Sequence, residues 1–402
     1  MTQLSFLPSF PFSTDPLLLF GLLLLAGLAG GELARRVLRL PRIVGYALIG
    51  LALGTSGVGA LDAGLLKDAW IFVDIALGLI LFELGRRLHF AWLRNDRWLL
   101  ATGIVESALS FGCVYVALSL FDVRPIHAAL AAAIGIATSP AVVLLVAQEL
   151  RAEGQVTERA MNLVALNSVI AFVLTTMLLS WLHHESRASW AMIALHPLYL
   201  LGGSLLLGYF ASLAAILLAQ WVGKHSERQL VMLLSLILLT IGAARMLELS
   251  VLLALLAFGV LSRNLDGRHD LMAVDLNGVG QVFYVVLFVV SGAQLQVLGL
   301  MTGGVLALVY VVARFIGKSI GVMSLTYFSG ARGGSAGLLC IALTPMSGIA
   351  LAMVHETASL YPRFGAQLGA IVLSAVLILE LVGPIAVQFA LRRAGEAREA
   401  AP

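Results

Sequence analysis

The stretch AAAIGIATSPAVVLLVAQEL, Ala131 to Leu150, is long and apolar enough to cross a bilayer, yet Thr138, Ser139 and Pro140 sit near its middle. A second stretch, GLLCIALTPMSGIALAMV, Gly337 to Val354, carries Thr344, Pro345 and Gly348 at the matching place. Proline removes a backbone donor and clashes with the preceding turn, so each helix is expected to unwind, at Pro140 and at Pro345. Unwound backbone at mid-membrane is tolerated only where it is buried in protein or lines a cavity. Matched interruptions in two halves of a chain point to a transporter's binding site. A lone membrane proline is more often a simple kink. Two at corresponding places, each closely preceded by threonine, favour the binding-site reading.

Composition agrees with a membrane setting. The 402 residues are 60% hydrophobic and only 12% charged, about half the charge of a soluble domain. Apolar stretches of about 20 residues, enough for a hydrocarbon core of ~30 Å, recur from end to end. Spans are expected near 16–38, 41–61, 64–85, 97–121, 126–149, 158–182, 190–222, 227–246, 249–264, 275–298, 300–328, 333–356 and 364–391. The fold class is therefore all-α and polytopic, with thirteen transmembrane helices in one domain and no soluble regulatory module. The tail after Leu391 reads as a short charged stub. The N-terminus lacks a signal-peptide pattern, so the first helix is expected to stay. Cys113 and Cys340 lie inside apolar segments, which speaks against a disulfide or a metal site. The net charge of +3 is spread over short loops and gives no reason to expect nucleic acid.

Basic residues set the orientation. One side collects Arg35, Arg36, Arg39 and Arg42; Arg86, Arg87, Arg94 and Arg97; Arg151 and Arg159; Lys224 and Arg228; Arg263 and Arg268; Arg332; and Arg392, Arg393 and Arg398. The other has Lys67, Arg124, Arg187, Arg245 and Arg363. This alternation keeps phase over thirteen spans and would be scrambled by an even number. It puts the N-terminus outside and the C-terminus in the cytoplasm of a cell (inner) membrane. Spans one to six can be laid over eight to thirteen in the opposite direction, an inverted repeat with span seven (190–222) as linker. The interrupted spans are then five and twelve.

At this point the chain resembles the monovalent cation:proton antiporter superfamily, the sodium/hydrogen exchangers and their bacterial relatives. LPRIVGYALIGLALGTSGVG (Leu40 to Gly59) resembles the family's second helix, and GLILFELGRRL (Gly78 to Leu88) is similar to its third. ATSPAVVLLVAQEL (Ala137 to Leu150), ARFIGKSIGV (Ala313 to Val322) and LTPMSGIAL (Leu343 to Leu351) resemble the crossing-helix and late motifs. Each is weak alone; their order over nearly the whole chain is not. The resemblance implies a homodimer in lipid, with a rigid panel (1–90 and 227–298) and a moving core (97–182 and 300–391) holding two crossing discontinuous helices. Monovalent cation and proton would compete for one site exposed alternately to each side.

One position departs from that family. After the first crossing helix its members carry a pair whose second residue is the ion-binding Asp. Here MNLVALNSVIAFVL (Met161 to Leu174) gives Asn167 and Ser168. A serine oxygen can ligate Na⁺ or K⁺, with Asn167 and Thr138 as companions, but it does not release a proton near neutral pH. The proton must go elsewhere. Ionisable groups inside a membrane are functional candidates by default, and those left are Asp74, Glu83, Glu106, Arg314, Lys318 and Glu380. Lys318 aligns with the family's basic partner of the missing Asp, with Arg314 one turn before it. Without that Asp, Lys318 finds Glu106 or Glu380, carries a proton itself, or meets an anion. Arg314 either holds unwound carbonyls or serves the ion. Glu83 is a surviving acid near the ion path, or a partner of Arg86 or Arg87. Asp74 reads as hydrogen-bonded and structural, and Glu380 as either a core partner or a transport residue. His183 and His184 are expected in an outside loop. His355 and Glu356 begin a zinc-protease pattern whose second histidine is absent.

The leading expectation is proton-coupled Na⁺ or K⁺ antiport with the proton carried by Glu83 or the Lys318 region. A carrier of the same fold for an anionic or neutral solute is the alternative, and a transport-inactive partner or sensor the third. No motif supports an enzyme, and no cofactor is expected.

Overall fold

A computed structural model describes residues 16–61, 63–88, 90, 96–185, 190–267, 270–271, 277–295, 297–326, 333–360 and 362–398. These are helical, in the order α1 (Pro16–Leu33, continued by a π turn at Ala34–Leu38), α2 (Arg42–Leu53), α3 (Ala63–Arg87), α4 (Arg97–Ser119), α5 (Pro125–Ile136) and α6 (Pro140–Glu149). Then follow α7 (Gln155–Glu185), α8 (Trp190–Val222), α9 (Ser226–Met246), α10 (Val251–Leu265), α11 (Asn277–Gln294) and α12 (Val297–Thr326). The last three are α13 (Gly333–Ala342), α14 (Gly348–Leu360) and α15 (Pro362–Arg393). Eight described stretches are long and apolar enough to cross a membrane by length and composition: 17–38, 97–119, 125–149, 155–179, 195–222, 226–246, 304–325 and 368–393. The chain is an integral, multi-pass, all-helical membrane protein.

Both expected interruptions are present. Residues 137–139 separate α5 from α6, and residues 343–347 separate α13 from α14. Proline explains the first directly: Pro140 opens α6 at a position where the missing N–H is harmless, and Ser139 caps it by accepting from Val142 N at 3.4 Å. Elsewhere Asp96 caps α4 through Leu99 N (3.0 Å) and Ser250 caps α10 through Leu253 N (3.2 Å).

Two segments differ from the expected boundaries or placement. Helix α2 stops at Leu53 rather than running to 61. The Gly54–Gly59 run turns there, held by Ser56 donating to Leu295 O at 2.7 Å. Helix α7 runs through His183 and His184, which are therefore helical and not in a loop; their side chains lie outside the described residues. The charged stub after Leu391, as far as it is described, folds back on the start of α7. Glu396 accepts from Val156 N (2.7 Å), Thr157 N (2.8 Å) and Thr157 Oγ1 (2.8 Å), so its carboxylate satisfies donors at the start of α7. Of the residues used for orientation, Arg94, Arg187, Arg268 and Arg332, and the side chain of Arg363, also lie outside the described set.

Helices α1, α2, α3, α9, α10 and α11 pack mainly with one another, as do α4 to α7 with α12 to α15; α8 lies against α7, α9 and α10. The contact of α12 with α4 is made close by glycine. A Cβ on Gly317 would lie 2.5 Å from Leu109 O, and one on Gly321 would lie 2.3 Å from Glu106 Cα. Without hydrophobic pressure between helices in lipid, such small-residue contact lets backbones approach and dispersion act. Gly321→Ala is expected to destabilise the protein by ~1–3 kcal/mol through overpacking, read as a lower unfolding midpoint in detergent. Gly112→Ala on α4, where nothing lies within 4 Å, should leave that midpoint unchanged or raised. Equal midpoints for Gly321→Ala and wild type would refute the contact.

Candidate functional site

The two interruptions meet. Ser139 N donates to Pro345 O at 3.0 Å, Thr138 Oγ1 donates to Leu343 O at 3.2 Å, and the hydroxyls of Ser139 and Ser347 are 2.6 Å apart. Each half-helix that ends here leaves carbonyls without intrahelical donors, and its C-terminus carries partial negative charge. Two cations of α12 answer both needs.

Arg314 is 1% exposed and lies between the ends of α5 and α13. Its Nε donates to Gly135 O (2.7 Å) and its Nη1 to Thr344 O (2.7 Å). Its Nη2 reaches Ala137 O (2.9 Å), Thr138 Oγ1 (3.4 Å) and Pro345 O (3.4 Å). The planar five-donor fork of a guanidinium suits this arrangement, which a single ammonium cannot reproduce. Arg314 thus hydrogen-bonds the unwound carbonyls of both breaks. One turn on, Lys318 donates to Ile136 O at 2.9 Å and pairs with Glu106 of α4. Lys318 is 1% exposed and Glu106 fully buried, so the pair is shut away from solvent. The second carboxylate oxygen of Glu106 has no hydrogen-bond partner among the described residues.

Next to this pair, Ser107 donates to Asn167 Oδ1 at 3.0 Å, while Asn167 Nδ2 has no partner among the described residues. Ser168 donates to Val164 O at 2.7 Å, one turn back on its own helix. It lines a small cavity whose other walls are apolar, including Leu81 of α3, Leu253 and Leu256 of α10, and Met353 of α14. The cavity thus lies where the two helix groups face each other. Asn167 and Ser168 are buried neighbours of the crossing, and no hydrogen bond joins either to Thr138.

The remaining acids are placed apart. Glu83 accepts from Gln148 Nε2 of α6 at 2.8 Å and lies 3.8 Å from Arg87 Nη2. Glu83 thus sits beside an arginine of its own helix and is cross-linked to the second half of the broken span. Asp74 pairs with Arg245 of α9. Glu380 of α15 is fully buried with neither oxygen hydrogen-bonded among the described residues. His355 stacks on Trp70 (centroids 5.1 Å apart), and the described residues contain no cluster of metal-ligating groups. Sequence reading missed Ser107 and Ser347. Ser347 could have been found, because LTPMSG places a serine in the second break as ATSP does in the first. Ser107 carried no such signal.

A family model described as "Sodium/hydrogen exchanger, transmembrane" matches residues 20–393. The chain belongs to the sodium/hydrogen exchanger family. Among solved structures, this exchanger-family chain is similar to the sodium proton antiporter MjNhaP1 from Methanocaldococcus jannaschii at pH 8. The TM-score is 0.73 at 16% identity, covering 94% of this chain and 97% of that one. An electron-microscopy structure of the same antiporter gives a TM-score of 0.71 at 17% identity, covering 95% and 98%. Comparison with curated proteins gives no match. The structural likeness is one of fold.

Arg314→Lys is expected to leave several buried carbonyls without donors, at ~1–3 kcal/mol for each group unmade. Its unfolding midpoint should fall well below that of Arg245→Lys, whose parent side chain is 47% exposed. Similar midpoints for the two would show that Arg314 does not hold the crossing.

Proposed function

We propose that this exchanger-family protein is a secondary transporter that exchanges a monovalent cation, Na⁺ or K⁺, for protons by alternating access. The single observation carrying this reading is the crossing itself. Two half-helix ends meet in the protein interior, and a buried lysine–glutamate pair lies beside them. In this proposal the chain makes thirteen spans in an inverted repeat, with the N-terminus outside and the C-terminus cytoplasmic, and forms a homodimer in a cell membrane. The core (97–182, 300–391) moves against a panel (1–90, 227–298).

The site departs from the family's chemistry at Ser168. With no carboxylate there, Lys318 has taken Glu106 as its counter-charge, and the pair is the proton-handling unit. A cation entering beside Asn167, Ser168 and Thr138 raises the local positive charge. The ammonium of Lys318 then gives up its proton to water, and Glu106 balances the cation. When the cation leaves on the other side, Lys318 takes a proton back. Glu83, tied to Gln148 and Arg87, acts as a contact between panel and core at the inner end. The reading of an anionic solute gains nothing from this geometry. Both cations that would attract an anion are engaged by protein oxygens.

Wild type in liposomes should dissipate an imposed pH gradient on addition of Na⁺, K⁺ or Li⁺. Lys318→Ala and Glu106→Gln should slow this by about tenfold or more, the loss expected when ~1.4 kcal/mol of coupling is removed. A silent wild type across about pH 6–9, with a working control antiporter alongside, would overturn antiport. Activity recovered only in Ser168→Asp would instead make the native chain a transport-inactive partner. Thermal stabilisation by carboxylates or inorganic anions, and not by alkali cations, would favour a carrier of different coupling.

A further inference from the structure

Among the described residues, Glu380 is the one fully buried carboxyl that the proposed exchange does not use. It lies in α15, and both of its oxygens lack a hydrogen-bond partner among the described residues. An ionised carboxylate so placed would be unpaired in a low-dielectric interior, at a cost far above that of holding a proton. Its position gives that proton a role. Three residues on, Gly383 packs on the second break, where a Cβ would lie 2.8 Å from Pro345 Cα. From the other helix group, the Ser291 hydroxyl of α11 faces the carboxyl, short of hydrogen-bonding geometry. Glu380 therefore stands at the seam between the two groups, which α15 also closes by packing on α2. In the two-halves reading, α15 is the counterpart of α7, the helix that lost its carboxylate at Ser168.

Among the described residues, no neighbouring charge neutralises it. Helix α15 packs against α2, α5, α6, α12, α13 and α14. On α12, Arg314 is bound to the breaks, Lys318 to Glu106, and Tyr310 to Ala131 O. On α2, Arg42 pairs with Glu32; Glu149 of α6 accepts from Arg42 N. Cys340 of α13 is directed at Ser319 O and His355 of α14 at Trp70. His127 of α5, and Tyr46 of α2 and Tyr284 of α11, make no hydrogen bond or ion pair with Glu380.

We infer that Glu380 is a second proton-binding group of the carrier, protonated while buried and exchanging its proton as the seam with α11 opens to water. The step breaks the carboxyl O–H bond, sends the proton to water and leaves the carboxylate until a proton returns. This rests on the antiport reading for its meaning in transport, though the proton site can be tested without it.

Infrared difference spectra of the protein in lipid nanodiscs, taken between about pH 5 and pH 10, should show a carboxylic-acid C=O band that titrates. The band should be lost in Glu380→Gln and retained, shifted, in Glu380→Asp. In liposomes, protons released per cation taken up should fall in Glu380→Gln. A spectrum that is the same in wild type and Glu380→Gln, or a Glu380 band that does not titrate over this range, would overturn the proposal. If the band titrates and is lost in Glu380→Gln while wild type moves no cation, the proton site stands and the antiport reading falls. If wild type exchanges ions with an unchanged proton count in Glu380→Gln, antiport stands and Glu380 is only a buried structural acid.

Discussion

The guanidinium of Arg314 is the interaction on which the interior depends. Two helices stop inside the protein, and each stop strands carbonyls whose loss of hydrogen bonds would be costly away from water. Arg314 gathers Gly135 O, Ala137 O, Thr344 O and Pro345 O from the two ends at once. Its charge also meets the negative poles of α5 and α13. A broken helix is ordinarily a liability in lipid; here one side chain turns two of them into a joint.

That joint fixes what α12 must do. To bring Arg314 and Lys318 between the half-helices, α12 has to lie close to α4, and Gly317 and Gly321 permit the approach. The same approach sets Glu106 against Lys318. A buried pair of this kind adds little net stability, yet removing one partner costs about 3–5 kcal/mol because it strands the other charge. The pair therefore makes the interior sensitive to any event that adds or removes charge nearby. Such sensitivity is what a carrier needs, and it survives the absence of a carboxylate at Ser168.

Much of this was legible in the chain. Length and apolar content dictate membrane helices, because only an intrahelical ladder satisfies backbone groups in lipid. Pro140 and Pro345 mark both breaks, since proline's chemistry is local. Motif order from Leu40 to Leu351 points to the exchanger family. The candidate site was legible only as an inventory. Arg314, Lys318, Glu106 and Glu380 stood out as costly in a membrane, but their partners are separated by up to about two hundred residues in sequence. Nothing in the spacing tells whether Lys318 meets Glu106 or Glu380. Ser107 and the tail contact of Glu396 were invisible for the same reason.

The sequence by itself determined where helices form and where two of them fail, because both follow from hydropathy and from a missing N–H within a few residues. Tertiary structure alone decided which cation holds the stranded carbonyls, which acid neutralises Lys318, and which is left with none. Those outcomes depend on interhelical distances of a few ångströms, and such distances are set by packing across the whole molecule.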